Sequence, residues 1–182
     1  MSETCVYKTE GRSPSARIRS PRPLIAAVMQ TEFGSLELVA AKWVLGRIPS
    51  EALPRIASDL LDAGPDTPTL RRLAGELHPT LGESGPLFEE ILDELGVAVP
   101  DMSRAGLVLA KAYAAQIIEG SLSAYDGARH IWEIEMAVEG LTTELGPFVY
   151  WASEWEETSN PEERRECEAG IRAAAIEFAD AS

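Results

Sequence analysis

The chain is predicted to be all-α: a compact irregular bundle of about eight short helices, preceded by a disordered N-terminal tail. Three observations predict it. Apolar residues recur at helical spacing in segment after segment from residue 35 onward, which is how a helix turns one face to a core. Ser, Thr, Asp and Asn stand where those segments begin and Gly where many of them end, the residues that cap helix termini. No segment shows the alternation and β-branched enrichment of a sheet. With 182 residues, 45% hydrophobic and 25% charged, one domain over residues 31–182 has enough chain to bury a sizeable core.

Residues 1–30 are set apart as a leader rich in Pro, Ser and Arg. Lys8, Arg12, Arg17, Arg19 and Arg22 face only Glu3 and Glu10 over residues 1–23, a net of +3, so the rest of the chain carries −17 of the total −14. With three prolines and almost no apolar periodicity, such a segment buries too little surface to offset its ordering entropy. Its apolar stretch, Leu24 to Met29, is too short for a secretory signal. A second reading has translation starting at Met29.

The elements follow in order. Ser35 caps a first, nearly uncharged helix carrying Leu36, Leu38, Val39, Trp43, Val44 and Leu45, which Gly46 closes. Leu53, Ile56, Ala57, Leu60 and Leu61 form an amphipathic stripe. Pro54 is tolerated only in a first turn, so that helix starts near Leu53, and Gly64-Pro65 stops it. Thr67-Pro68 opens a third helix with Leu70, Leu73, Ala74 and Leu77 inward. His78, Pro79, Gly82 and Gly85 read as a loop, after which Pro86 opens a helix with Leu87, Phe88, Ile91, Leu92 and Leu95, closed by Gly96. Asp101 or Ser103 starts the longest apolar helix, ending at Gly120. Its apolar circumference puts it in the middle of the bundle, with Arg104 and Lys111 on one narrow polar line. Ser123 and Asp126 form a capping box for a sixth helix through about Val138. Pro147 opens a short aromatic helix with Phe148, Trp151 and Trp155. Asn160, Pro161 and Glu163 start the last one, whose inner face holds Cys167, Ile171, Ala174, Ala175 and Phe178. The turn-and-cap pattern recurs about every thirty residues over 35–119, as in helical repeats, yet the segments do not align with one another, and the irregular bundle is preferred.

Trp43-Val44-Leu45-Gly46, Leu53-Pro54, Ala63-Gly64 with Pro68, and Leu70-Arg71-Arg72-Leu73-Ala74-Gly75 resemble a pattern in small uncharacterised all-helical proteins of actinobacteria, over roughly residues 36–119. The resemblance implies a bacterial cytosolic chain and no particular activity.

Catalytic chemistry has few places to stand. Cys5 lies in the leader. Cys167 lies on an inner helix face among Glu163, Glu166 and Glu168, where burial and negative charge both disfavour the thiolate. Two cysteines make no disulfide framework, which places the chain in the cytoplasm. Asp126, His130 and Glu133, at i, i+4 and i+7, are candidate metal ligands, or else a solvated face. Glu135 falls between Ala128, Ile131 and Val138 within the apolar arc. A carboxylate there needs a partner, and Arg104 or Lys111 is the expected one. Were the chain an enzyme or a small-ligand protein, its pocket would be built around His130 and Glu135 as the acid/base pair. No phosphate loop, zinc quartet or serine-nucleophile motif is present, so no cofactor is implied.

Phe148, Trp151 and Trp155 share one side of a helix flanked by Tyr150 and Glu154, and Glu154, Glu156, Glu157, Glu162, Glu163, Glu166 and Glu168 surround them. The aromatics either pack in the core or anchor a partner inside an acidic rim. The second alternative nominates Tyr150, Trp151, Glu154, Trp155, Glu156 and Glu157 as partner-binding residues. An acidic body repels phosphate backbones and has no membrane-spanning run. The expected function is therefore non-enzymatic: binding of a macromolecular partner, a basic protein first of all, in the manner of an immunity protein, antitoxin or adaptor.

Overall fold

The computed structural model describes residues 29–181. Residues 1–28, with Cys5 and the basic side chains of the leader, lie outside them, and so does the choice between a leader and a start at Met29. Eight α-helices make up most of the described chain: α1 (Leu36–Val44), α2 (Leu53–Asp62), α3 (Pro68–Ala74), α4 (Leu81–Glu94), α5 (Met102–Glu119), α6 (Ala124–Ala137), α7 (Thr142–Glu157) and α8 (Pro161–Asp180). A 3-10 turn, Ser50–Ala52, leads into α2.

Five helices start on the caps expected of them. Ser35, Thr67, Asp101, Ser123 and Asn160 each accept a hydrogen bond from a backbone N–H in the first turn, at 3.4, 3.2, 2.7, 3.1 and 2.9 Å. Each such bond is worth about 1 kcal/mol to its helix.

Two starts differ from expectation in the same way. Pro86 and Pro147 open nothing: each is the sixth residue of a helix already under way. At that depth proline forfeits the bond to the carbonyl four residues back, here that of Gly82 or Thr143. The first turn of α7 forms anyway because Leu141 and Leu145, one turn apart and both buried, bring it into the core. The first turn of α4 contains Thr80 donating to the Glu83 carboxylate at 2.9 Å and seats buried Ser84 and Gly85 against the bundle. Gly82 and Gly85 therefore belong to a helix, not to a loop. Leu77 is also corrected: α3 ends at Ala74, and Leu77 is 84% exposed.

A two-residue hairpin precedes α1, with Gln30 paired to Ser35 and Thr31 to Gly34. It is too short to show alternation in sequence. Met29 is buried, and its carbonyl accepts from the Leu36 N–H at 3.2 Å. Met29 and Gln30 are thus part of the folded body, not of the leader.

Packing divides into two apolar cores. Met29, Leu36, Leu53, Leu60, Leu70, Phe88 and their neighbours fill the space among α1 to α4. Leu109, Ile117, Ile131, Leu145, Phe148 and Ile171 do so among α5 to α8. Helix α1 serves both, because Leu38 and Leu45 turn toward the second core while Val39 and Ala40 stay in the first. It packs on α5, which also touches α6 and α8 and so holds the central place expected of it. Arg47, after α1, reaches Glu133 on α6 at 3.5 Å and ties the halves at the surface. Among the described residues, no helix is long and apolar enough to cross a membrane.

Glycine does more than close helices. A Cβ on Gly170 of α8 would collide with the Trp151 indole of α7, and one on Gly127 of α6 would collide with Ile117 of α5. Bare Cα positions let those pairs approach.

Candidate functional site

The sequence-nominated residues sit on α6, α7 and the start of α8. On α6, His130 stacks on Tyr113 of α5, ring centroids 4.9 Å apart and 21° from parallel. Its Nδ1 is buried without a hydrogen-bond partner among the described residues and lies 3.8 Å from Glu133 Oε2. Glu133 also faces Arg47. Asp126 is engaged by its own helix start: Ser123 Oγ donates to its carboxylate at 2.6 Å and accepts from its N–H at 3.1 Å.

The proposed ligand trio does line one shallow hollow of about 440 Å3, together with Leu122, Tyr125 and Arg129. Its members do not form a donor set. Asp126 is held by the Ser123 cap, Glu133 pairs with Arg47, and among the described residues no three His, Cys, Asp or Glu are arranged to hold a metal ion. The hollow instead carries a cation, Arg129.

The acid/base pair is likewise not assembled. Glu135 is half-buried and accepts the Thr142 hydroxyl at 2.7 Å, joining the end of α6 to the start of α7. His130 precedes it by five residues, about 140° around the helix, and faces Tyr113 and Glu133. Glu135 flanks the apolar arc because α6 ends at Ala137 and the chain folds back directly over it. The partner seen is the Thr142 hydroxyl rather than the expected cation. Arg104 is exposed, and the Lys111 ammonium stands 5.9 Å over the Phe178 ring.

The aromatic group divides into packed and outward members. Trp155 is sandwiched, with Tyr125 stacked on one face at 3.8 Å and the Arg164 guanidinium 4.1 Å from its centroid. Trp151 covers Gly170. Glu156 turns toward α6, where Tyr125 Oη donates to it at 2.7 Å and Arg129 Nη1 at 2.8 Å. Those bonds hold the Glu156 carboxyl below the usual carboxylate range. Trp151, Trp155 and Glu156 are therefore parts of the α6–α7–α8 contact and not a free anchor.

What remains outward is Tyr150, 55% exposed, with Glu154 and Glu157 at i+4 and i+7 on the same line of α7. Glu163 and Glu166 of α8 adjoin it. Burial pushes the Cys167 thiol up, and the charges of Glu154, Glu166 and Glu163, on two helices, push it further. The neighbouring arginines are engaged elsewhere: Arg164 lies on Trp155, and Arg165 Nε donates to the Pro161 carbonyl at 3.1 Å. Among the described residues, Glu154, Glu157, Glu163 and Glu166 enter no ion pair. Glu163 is the most constrained of them, accepting from Thr158 and from Asn160 Nδ2.

No family model matches the chain, and neither a curated protein nor a solved structure matches it.

Proposed function

We propose that this is a non-enzymatic cytosolic interaction protein that binds a basic protein through the outward face of α7 and the start of α8. One observation carries the reading: the charges of Glu154, Glu163 and Glu166 all bear on the Cys167 thiol, those carboxylates enter no ion pair among the described residues, and Tyr150 on the same helix as Glu154 has an exposed ring. Unpaired charges held close together on two packed helices repel one another. A cationic partner relieves that repulsion and gains an aromatic contact at the edge. Immunity-like, antitoxin-like and adaptor roles are all compatible with such a face, the partner's positive charge being common to them. The cytosolic assignment rests on there being only two cysteines, Cys5 and Cys167.

The test is capture by the full chain from the cells that express it, at stepped ionic strength. A basic protein should be retained at low salt and released as the salt rises past the range where the Debye length falls below about 8 Å. An acidic partner, or one whose retention ignores salt, overturns the proposal.

A further inference from the structure

A groove of about 710 Å3 opens between the end of α1, the turn that follows it and the first turns of α4, on helices other than those of the acidic face. Trp43, Val44, Ile48, Pro49, Leu81 and Pro86 make its walls, and Glu51 and Glu89 stand among them as carboxylates. The indole wall is fixed. Phe88 meets it edge-on at 5.6 Å and 70°, and a Cβ on Gly85 would come within 3.2 Å of its Cζ2. Leu81, 64% exposed, leaves one side of the groove uncovered.

Rigid aromatic and proline walls favour an extended proline-containing segment, whose stiffness keeps its ordering cost low. The two carboxylates call for guanidinium groups on that segment. The chain itself contains this chemistry: Arg17, Arg19, Pro21, Arg22, Pro23 and Leu24. These residues lie outside the described part of the chain. The tether is long enough. The chain enters the fold at Met29, hydrogen-bonded to Leu36 at the head of α1, and Trp43 stands two turns further along, about 10 Å. The link from Leu24 to Met29 spans up to roughly 17 Å when extended. A tethered segment also acts at a high effective concentration, on the order of millimolar for short links.

We propose that the groove is the docking site of the chain's own segment 17–24, Arg17, Arg19 and Arg22 facing Glu51 and Glu89. This does not depend on the α7–α8 reading. The experiment uses isotope-labelled full-length protein. R17E/R19E/R22E should shift the Trp43 indole resonance and the Leu81 and Gly85 amides, E51K/E89K should shift the same signals, and the combined charge swap should return them toward their native positions. The proposal is overturned if the reversed segment leaves those signals in place, or if the swap fails to restore them. A shift that varies with protein concentration overturns it too, because the occupant is then the segment of a second copy.

Discussion

Trp155 is an outer aromatic that serves packing and not display. With Tyr125 on one face and Arg164 on the other, its ring closes the seam among α6, α7 and α8. Trp155→Ala should cost about 3 kcal/mol in urea unfolding, the lower end for a large aromatic, because the ring is only half-buried. Arg164→Ala should cost about 0.5–1 kcal/mol, as expected of a cation lying on an exposed-side ring. Equal losses would mean that the stacking is incidental. Cys167 gives a second outcome. Its thiol is buried and shifted upward by burial and by Glu154, Glu166 and Glu163, so native protein should alkylate there far more slowly than unfolded protein. The native state holds that proton to higher pH than the unfolded chain does. Stability therefore falls as pH rises through the ordinary thiol range near 8.5, and Cys167→Ala should make the decline shallower. The environment of Cys167 was legible because its acidic neighbours are near in sequence and on the same helix. Glu154 was found near it only through the packing of α7 on α8. That Trp151 and Trp155 pack was one of the two readings their spacing allowed, but what they pack against, and the turn of Glu156 toward α6, were not legible, since each depends on a partner on another helix.

Helices with local start signals were placed well, and those decided by burial were not. A cap acts within three residues, so Ser35, Thr67, Asp101, Ser123 and Asn160 announced their helices. The turns before Pro86 and Pro147 form because Ser84, Gly85, Leu141 and Leu145 are buried, which proline statistics do not register. The pairing of Thr80 with Glu83 was the available local sign for α4. Pro147→Ala restores a donor to the Thr143 carbonyl. An interior proline costs roughly 3 kcal/mol and repays about 1 by stiffening the unfolded chain, so the variant should be more stable by 1 to 2 kcal/mol in thermal or urea unfolding. No gain would mean that the helix has already bent to absorb the ring. Gly170→Ala should go the other way. Helix propensity favours alanine by about 1 kcal/mol, but the added methyl meets the Trp151 indole, and overpacking costs 1–3 kcal/mol. A net loss is expected, and it should disappear when Trp151 is also shortened.

For the molecule as a whole, the all-helical class and the central place of α5 were readable from periodicity and from the scarcity of polar positions on that helix. The division into two cores was not, because α1 turns opposite faces to each and a stripe count assigns a helix only one. Charge was readable in amount but not in arrangement. The −14 total says that cations are attracted, whereas the absence of ion pairs at Glu154 and Glu166 among the described residues says where. That distinction separates general attraction from a binding face, and equal charge changes at two places resolve it. Capture of the basic partner should be compared for the wild-type chain, for Glu154→Lys/Glu157→Lys/Glu166→Lys, and for Glu76→Lys/Glu90→Lys/Asp93→Lys on the other half of the molecule. The proposed face predicts that the first triple variant loses the partner while the second, with the same net charge, keeps it. Equal retention by both, or loss from the second alone, contradicts the account.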